Sequence, residues 1–204
     1  MAKTKSKRRR KKAQAEKSPD KAGLPVGRLI GGACVLALAA AGFWWWQGQS
    51  ADVSAFEAQA ERGQTALARV VRHDDEGRGH LGPGESVRYR SDPPTSGIHD
   101  PNWVDPGVYK LIQRREQLVH SLEHGLIVIY YDKPTVAVAE TLDDWAGLFG
   151  APWSGVVLTP RPGLGAAIIL AAWRKTLTLD PFDADAAAAF IDAYRGRGPE
   201  HPVR

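Results

Sequence analysis

Eighteen consecutive residues without a charge, Leu29 to Trp46 (LIGGACVLALAAAGFWWW), set the first constraint on this chain. With Leu24–Gly27 leading in, the stretch approaches the ~20 apolar residues needed to cross a ~30 Å hydrocarbon core. A helix in lipid satisfies its own backbone polar groups, so such a run is stable as a span. A cleaved signal peptide has a shorter apolar region and a small-x-small cut site. Ala39-Ala40-Ala41 is a weak version of that site, but Trp44, Trp45 and Trp46 follow it as an aromatic belt suited to headgroup depth. The sequence therefore predicts an uncleaved transmembrane helix over residues 24–46.

The charges orient it. Residues 1–28 hold eleven Lys/Arg against Glu16 and Asp20, while the rest of the chain holds sixteen basic and twenty-one acidic residues. The sequence pI of about 9.3 is thus a property of the tail, and the chain beyond the span is mildly acidic. Basic flanks stay inside. Residues 1–23 read as a disordered cytoplasmic tail, residues 47–72 as a juxtamembrane helix and stalk, and residues 73–204 as an extracytoplasmic domain of a single-pass cell-membrane protein. The partners expected for the tail are the lipid bilayer and its anionic headgroups, and no nucleic acid is needed to account for its charge. The only cysteine, Cys34, lies inside the apolar run. The exported part therefore has no disulfide although its compartment permits one, and thiolate chemistry is excluded there. It relies on a packed core, which a chain of this length can build.

Beyond the span, Val53, Phe56, Ala60, Leu67, Val70 and Val71 recur at helical spacing, interrupted by Gly63. Residues 73–105 are loop-rich, with one short alternating strand at Val87–Tyr89. Leu126–Tyr131 (LIVIYY) is a continuous apolar run of strand length, the mark of a strand covered on both faces. Thr135–Phe149 has helical spacing with Thr135 as cap. Val156–Thr159 is a second strand, Arg161-Pro162-Gly163 a turn, and Ala166–Trp173 a third strand that Thr176–Leu179 continues. Asp183–Arg195 closes as a helix. The order β-α-β-β-α predicts an α+β domain, a mixed or antiparallel sheet packed by two or three helices; a thioredoxin-like arrangement is the alternative.

Five of the six histidines, His73, His80, His99, His120 and His124, precede or meet the first buried strand. His99 ends the stiff segment Pro93-Pro94-Thr95-Ser96-Gly97-Ile98. His120 and His124 bracket Ser121-Leu122-Glu123 as His-x-x-Glu-His, followed by Gly125. If Arg115–His124 is a helix, the two imidazoles lie one turn apart on one face and form a platform for a metal ion. If the strand begins near His120, they lie ~13 Å apart and cannot share an ion. The same signature belongs to inverted zinc proteases, with Glu200 as a downstream third ligand, but a strand follows the second histidine immediately. Ser96 and Ser121 lack a Gly-x-Ser-x-Gly elbow, and Glu123 has Arg114 and Arg115 nearby as ion-pair partners. His73 and His201 read as solvent-exposed. Trp103, Trp145, Trp153 and Trp173 read as core or loop anchors. An imidazole cluster without sulfur suits Zn²⁺ or Cu²⁺. The candidate ligands are His99, His120 and His124, completed by His80 or Glu123, and no residue is assigned a catalytic role. A non-catalytic interaction module is the second reading and a metal-assisted hydrolase acting through Glu123 the third.

The chain resembles the bacterial family catalogued as domain of unknown function 3105. The resemblance rests on Tyr89-Arg90-Ser91-Asp92-Pro93-Pro94-Thr95-Ser96-Gly97-Ile98-His99, on Gly107-Val108-Tyr109, and on Val119-His120-Ser121-Leu122-Glu123-His124-Gly125. His80 ahead of this block, and Trp173, Phe190 and Pro199-Glu200 behind it, extend the similarity over nearly all of residues 75–200. Where the family pattern usually has Pro before the first His, this chain has Ile98. The resemblance implies a membrane-tethered, exported bacterial domain in which His99, His120, Glu123 and His124 act as a unit, and it implies no particular activity.

Overall fold

The structure is a computed structural model that describes Phe43, Trp44, Gly48 and residues 51–204. The transmembrane helix anticipated over residues 24–46 and the tail over 1–23 fall outside the described residues, save Phe43 and Trp44. Among the described residues no helix is long and apolar enough to cross a membrane. The described residues from Gly48 onward belong to one compact unit, an α+β fold built on a six-stranded mixed sheet.

Helix α1, over residues 51–62, is followed by a 3₁₀ turn at Gln64–Arg69 and a two-residue strand β1 (Val71–Arg72). After the long loop come β2 (Gly107–Val108), α2 (Arg115–Glu123), β3 (Ile127–Tyr131), α3 (Val136–Leu148), β4 (Val156–Pro160), β5 (Ile168–Ala172), β6 (Lys175–Leu179) and α4 (Ala184–Tyr194). The sheet order is β1-β6-β5-β3-β4-β2. β3 runs parallel to β4 and antiparallel to β5, and β4 runs parallel to β2.

The continuous apolar run of β3 follows from its two covered faces. Ile127 and Ile129 pack with α1, α3 and α4 side chains such as Phe56, Leu142, Trp145 and Phe190. Val128 and Tyr130 face the other way, onto Leu118 and Leu122 of α2 and Val104 of the loop. Helix α2 is held to the sheet by its apolar face, and this fixes where its histidines point. Thr135 and Asp183 cap α3 and α4, accepting hydrogen bonds from Val138 N at 3.4 Å and Ala186 N at 3.0 Å. Ala186–Ala189 are all but fully buried, so α4 approaches its neighbours closely.

Four local expectations change. Val87–Tyr89 is not a strand; the chain directly after it is tied to Glu76, whose carboxylate accepts from Arg90 N and Ser91 N. Thr176–Leu179 does not continue the third strand but returns beside it as β6, Ala172 pairing with Lys175. The intervening turn places Arg174 at φ 60°, in the left-handed region. The helical spacing of Asp52–Arg72 breaks at Gly63, where a side chain would run into the backbone of Asp185. Finally, Phe56 of α1 is buried edge-on against Trp145 and Phe149, with ring centroids 5.7 and 4.7 Å away, so α1 is part of the core.

Candidate metal centre

The segment before α2 is a loop held rigid by polar pins. Ser96 Oγ accepts from Glu76 N (3.1 Å) and donates to Asp74 O, and Thr95 O accepts from Arg174 N at the hairpin (2.9 Å). Residues 77–81 and 97–99 run side by side, with Gly97 N on Gly77 O, His99 N on Gly79 O and Leu81 N on His99 O at 2.7–3.0 Å. This short parallel bridge pairs His80 with His99. Val104, further along, both donates to and is met by Ser121 of α2: Val104 N donates to Ser121 Oγ at 3.0 Å, and Ser121 Oγ donates to Val104 O at 2.8 Å. Ser96 therefore ties two loop segments together and Ser121 ties helix α2 to the loop, with no free hydroxyl for a nucleophile.

The open question at His120 and His124 is settled in favour of a helix. His120 lies in the last turn of α2, His124 closes it with its N–H on His120 O (3.0 Å), and Gly125 turns the chain at φ 95°. The two rings lie 4.6 Å apart by centroid. His99 is 4.7 Å from His120, and His80 is 5.2 and 5.0 Å from His99 and His120. One ligand atom from each of His80, His99, His120 and Glu123 lies within 4.8 Å of the others. His80 is solvent-exposed; the other three are buried.

Hydrogen bonding orients two of these rings. His99 Nδ1 lies 2.8 Å from Gly97 O, and His120 Nδ1 lies 2.8 Å from Asp100 O. A carbonyl oxygen only accepts, so both Nδ1 atoms carry the proton, and in the neutral ring Nε2 is left as a lone pair. That is the outer-shell arrangement that orients a histidine toward a metal. His99 Nε2 is buried without any hydrogen bond, yet it lies 3.1 Å from Glu123 Oε2. Glu123 thus faces His99 rather than Arg114 or Arg115, which pair with Asp100 and Glu116. Burial pushes the His120 imidazole below its ordinary pKa, and His99 and His80 push it further. Burial also lowers His124, with His120 adding to the effect. Both shifts favour the neutral, ligating form.

Not all the candidates converge on one point. His124 falls in a second group, with His120 and Glu200. Glu200 Oε2 is 3.0 Å from His124 Nε2 and 4.0 Å from His120 Nε2, and its side chain is 44% exposed. It arrives on the segment after α4, which is sewn to the end of α2 by Gly196 N on Gly125 O (2.8 Å) and Glu200 N on Glu123 O (3.3 Å). A side chain at Gly125 would meet Gly198 N, so the close passage of these two segments depends on glycine. His124 also stacks on Trp153 (4.1 Å, 34°) and touches Trp103 (4.7 Å). These tryptophans are walls of the site rather than remote anchors, whereas Trp145 does sit in the core. His73 is half-buried, bonded to Thr176 Oγ1 at 2.8 Å, and His201 is exposed beside Trp153.

The family described as Protein of unknown function (DUF3105) matches residues 80–204. The chain belongs to this family. The match begins at His80 and runs past Glu200, so every residue of both ligand groups lies within the DUF3105 region, whereas α1 and β1 precede it. No curated protein and no solved structure matches the chain.

Proposed function

We propose that this DUF3105 protein is a membrane-tethered, extracytoplasmic domain that binds one divalent transition-metal ion through His80, His99, His120 and Glu123. One observation carries the reading. The buried Nε2 of His99 has its proton on the opposite nitrogen and no donor in reach, yet it faces a carboxylate oxygen 3.1 Å away. Two buried acceptors at that distance repel unless a proton or a metal cation lies between them, and the convergence of His80 and His120 on the same point favours the metal. Ligand atoms on one tetrahedral ion with 2.0–2.1 Å bonds are about 3.3 Å apart, close to this separation. Three imidazoles and one carboxylate favour Zn²⁺ or Cu²⁺ over softer ions, and the sole cysteine and sole methionine, Cys34 and Met1, lie outside the described residues.

The same geometry weighs against a hydrolase acting through Glu123, since that carboxylate is turned to His99 as a fourth ligand and a catalytic site needs an open position. The order β6-β5-β3-β4 with β5 antiparallel to its neighbours supports the thioredoxin-like alternative as a description of the sheet. Residues 161–167, between β4 and β5, contain turns and no helix. The test is to purify the full chain without a histidine tag, measure bound metal, and compare unfolding with and without chelator. One Zn²⁺ or Cu²⁺ per chain and a chelator-sensitive melting point are expected. No bound metal, with no response to either added ion, would leave the interaction-module reading. Tethering and export are tested by adding protease to intact cells, which should degrade residues 52–204 and spare the tail.

A further inference from the structure

The second ligand group is not an independent site. His120 belongs to both groups, and its Nδ1 is committed to Asp100 O at 2.8 Å. It therefore offers one ligating atom, Nε2, and cannot hold an ion with each nitrogen. That atom is shared by two groups. His80, His99 and Glu123 belong to one. His124 and Glu200 belong to the other, the latter with Oε2 4.0 Å from His120 Nε2 and 3.0 Å from His124 Nε2. The His124 ring is buried, and its Nδ1 has no hydrogen-bond partner. Two divalent ions at such adjoining positions, with no shared anion between them, would repel strongly in a buried setting.

We infer that His120, His124 and Glu200 form a second, outer coordination position for the same divalent cation, so that one ion occupies either the inner or the outer position with His120 as a ligand in both. The inference rests on the metal-binding reading and adds a property that reading does not contain. The inner position has four protein ligands and is closed; the outer has three and retains room for solvent or a donor from another molecule. An ion moving between them exchanges the other ligands one at a time while His120 stays attached. That is the requirement for taking up or handing over an ion without releasing it to solvent. His80 is the exposed member of the inner group and Glu200 that of the outer.

The experiment titrates Co²⁺ into the chelator-stripped full chain and records stoichiometry and the visible spectrum, which is intense for four-coordinate and weak for five-coordinate Co²⁺. Wild type should bind one ion with an intense spectrum. His124→Ala/Glu200→Gln should bind one ion with the same spectrum. His80→Ala/Glu123→Gln should still bind one ion, more weakly, with a pale five-coordinate spectrum. The quadruple variant should bind none while retaining its far-UV circular dichroism. Two ions per wild-type chain would overturn the inference, because the positions would then be independent. It would also fall if His80→Ala/Glu123→Gln, still folded, bound nothing, since only the inner position would exist. No Co²⁺ on the wild type removes the metal-binding reading and this inference together, whereas one ion on the wild type with either failing result removes the inference alone.

Discussion

His99 Nε2 and Glu123 Oε2 lie 3.1 Å apart in a buried setting, while the other ring nitrogen of His99, Nδ1, donates to Gly97 O. The contact joins a loop residue to the last residue of α2, across two segments already tied by Ser121 and Val104. Its electrostatics change sign according to what lies between the two atoms: repulsive when nothing does, strongly attractive with a proton or a metal cation.

Replacing Glu123 by Gln removes one ligand while keeping size and the helix end intact. With Zn²⁺ at a hundredfold above the wild-type dissociation constant, wild type gains about 2.7 kcal/mol of stability from mass action. Glu123→Gln should lose most of that gain. In chelator it should be no less stable than wild type, since a buried repulsion is relieved. Chemical denaturation with and without Zn²⁺ measures both.

In chelator, pH should matter through His120 and His124. Both are held below their ordinary pKa of 6.5 by burial, so the unfolded chain binds more protons than the folded one just below that value. Their contribution to stability is complete above about pH 6.5 and is lost as the pH falls through the depressed folded-state values. Melting temperature followed downward from neutral pH should decline over this window, and a His124→Phe variant should flatten the decline.

Ser121→Ala should cost about 1–3 kcal/mol, because Val104 N and Val104 O both lose their buried partner. Its metal stoichiometry should stay at the wild-type value. A specific loss of some hydrolytic activity with stability unchanged would instead make Ser121 a nucleophile.

Phe56→Ala should destabilise by about 3–5 kcal/mol, the range for emptying a buried aromatic site, because Phe56 fills the space between Trp145 and Phe149. A value near zero in denaturant titration would mean that α1 is not docked on the domain.

Gly125→Ala forces a side chain into the left-handed region at φ 95° and against Gly198 N, 2.7 Å from the added carbon. About 1–2 kcal/mol is expected from the backbone conformation alone. The segment carrying Glu200 should be displaced too, so the Trp103 and Trp153 fluorescence that reports on His124 should change.

Local periodicity made the second half of the fold legible. The unbroken apolar run at β3, the capped patterns of α3 and α4, and the turn at Pro162-Gly163 all carry their own short-range signals. The site was legible as a set of residues, because His-x-x-Glu-His and Pro-Pro-Thr-Ser-Gly-Ile-His stand out against their surroundings. Its partition was not. That Glu123 turns to His99 and Glu200 to His124 depends on the 77–81 and 97–99 bridge and on the glycines at 125 and 198, which are long-range contacts. Trp103 and Trp153 had no spacing relation to the histidines at all. Nor did Val71–Arg72 signal a strand, since two residues at a sheet edge are too few for alternation to register.

The ladder between residues 77–81 and 97–99 delivers His80 and His99 from a segment otherwise poor in regular structure, while His120 and Glu123 come from a helix fastened to the sheet. An ion gripped by all four would cross-link that segment to the core, closing a loop of chain in the way a disulfide does in cysteine-bearing domains. In a domain without a single cysteine, coordination chemistry would then supply the constraint on the unfolded chain. Amide hydrogen exchange across residues 73–105 should accordingly slow far more on adding Zn²⁺ than exchange in β3 or β5.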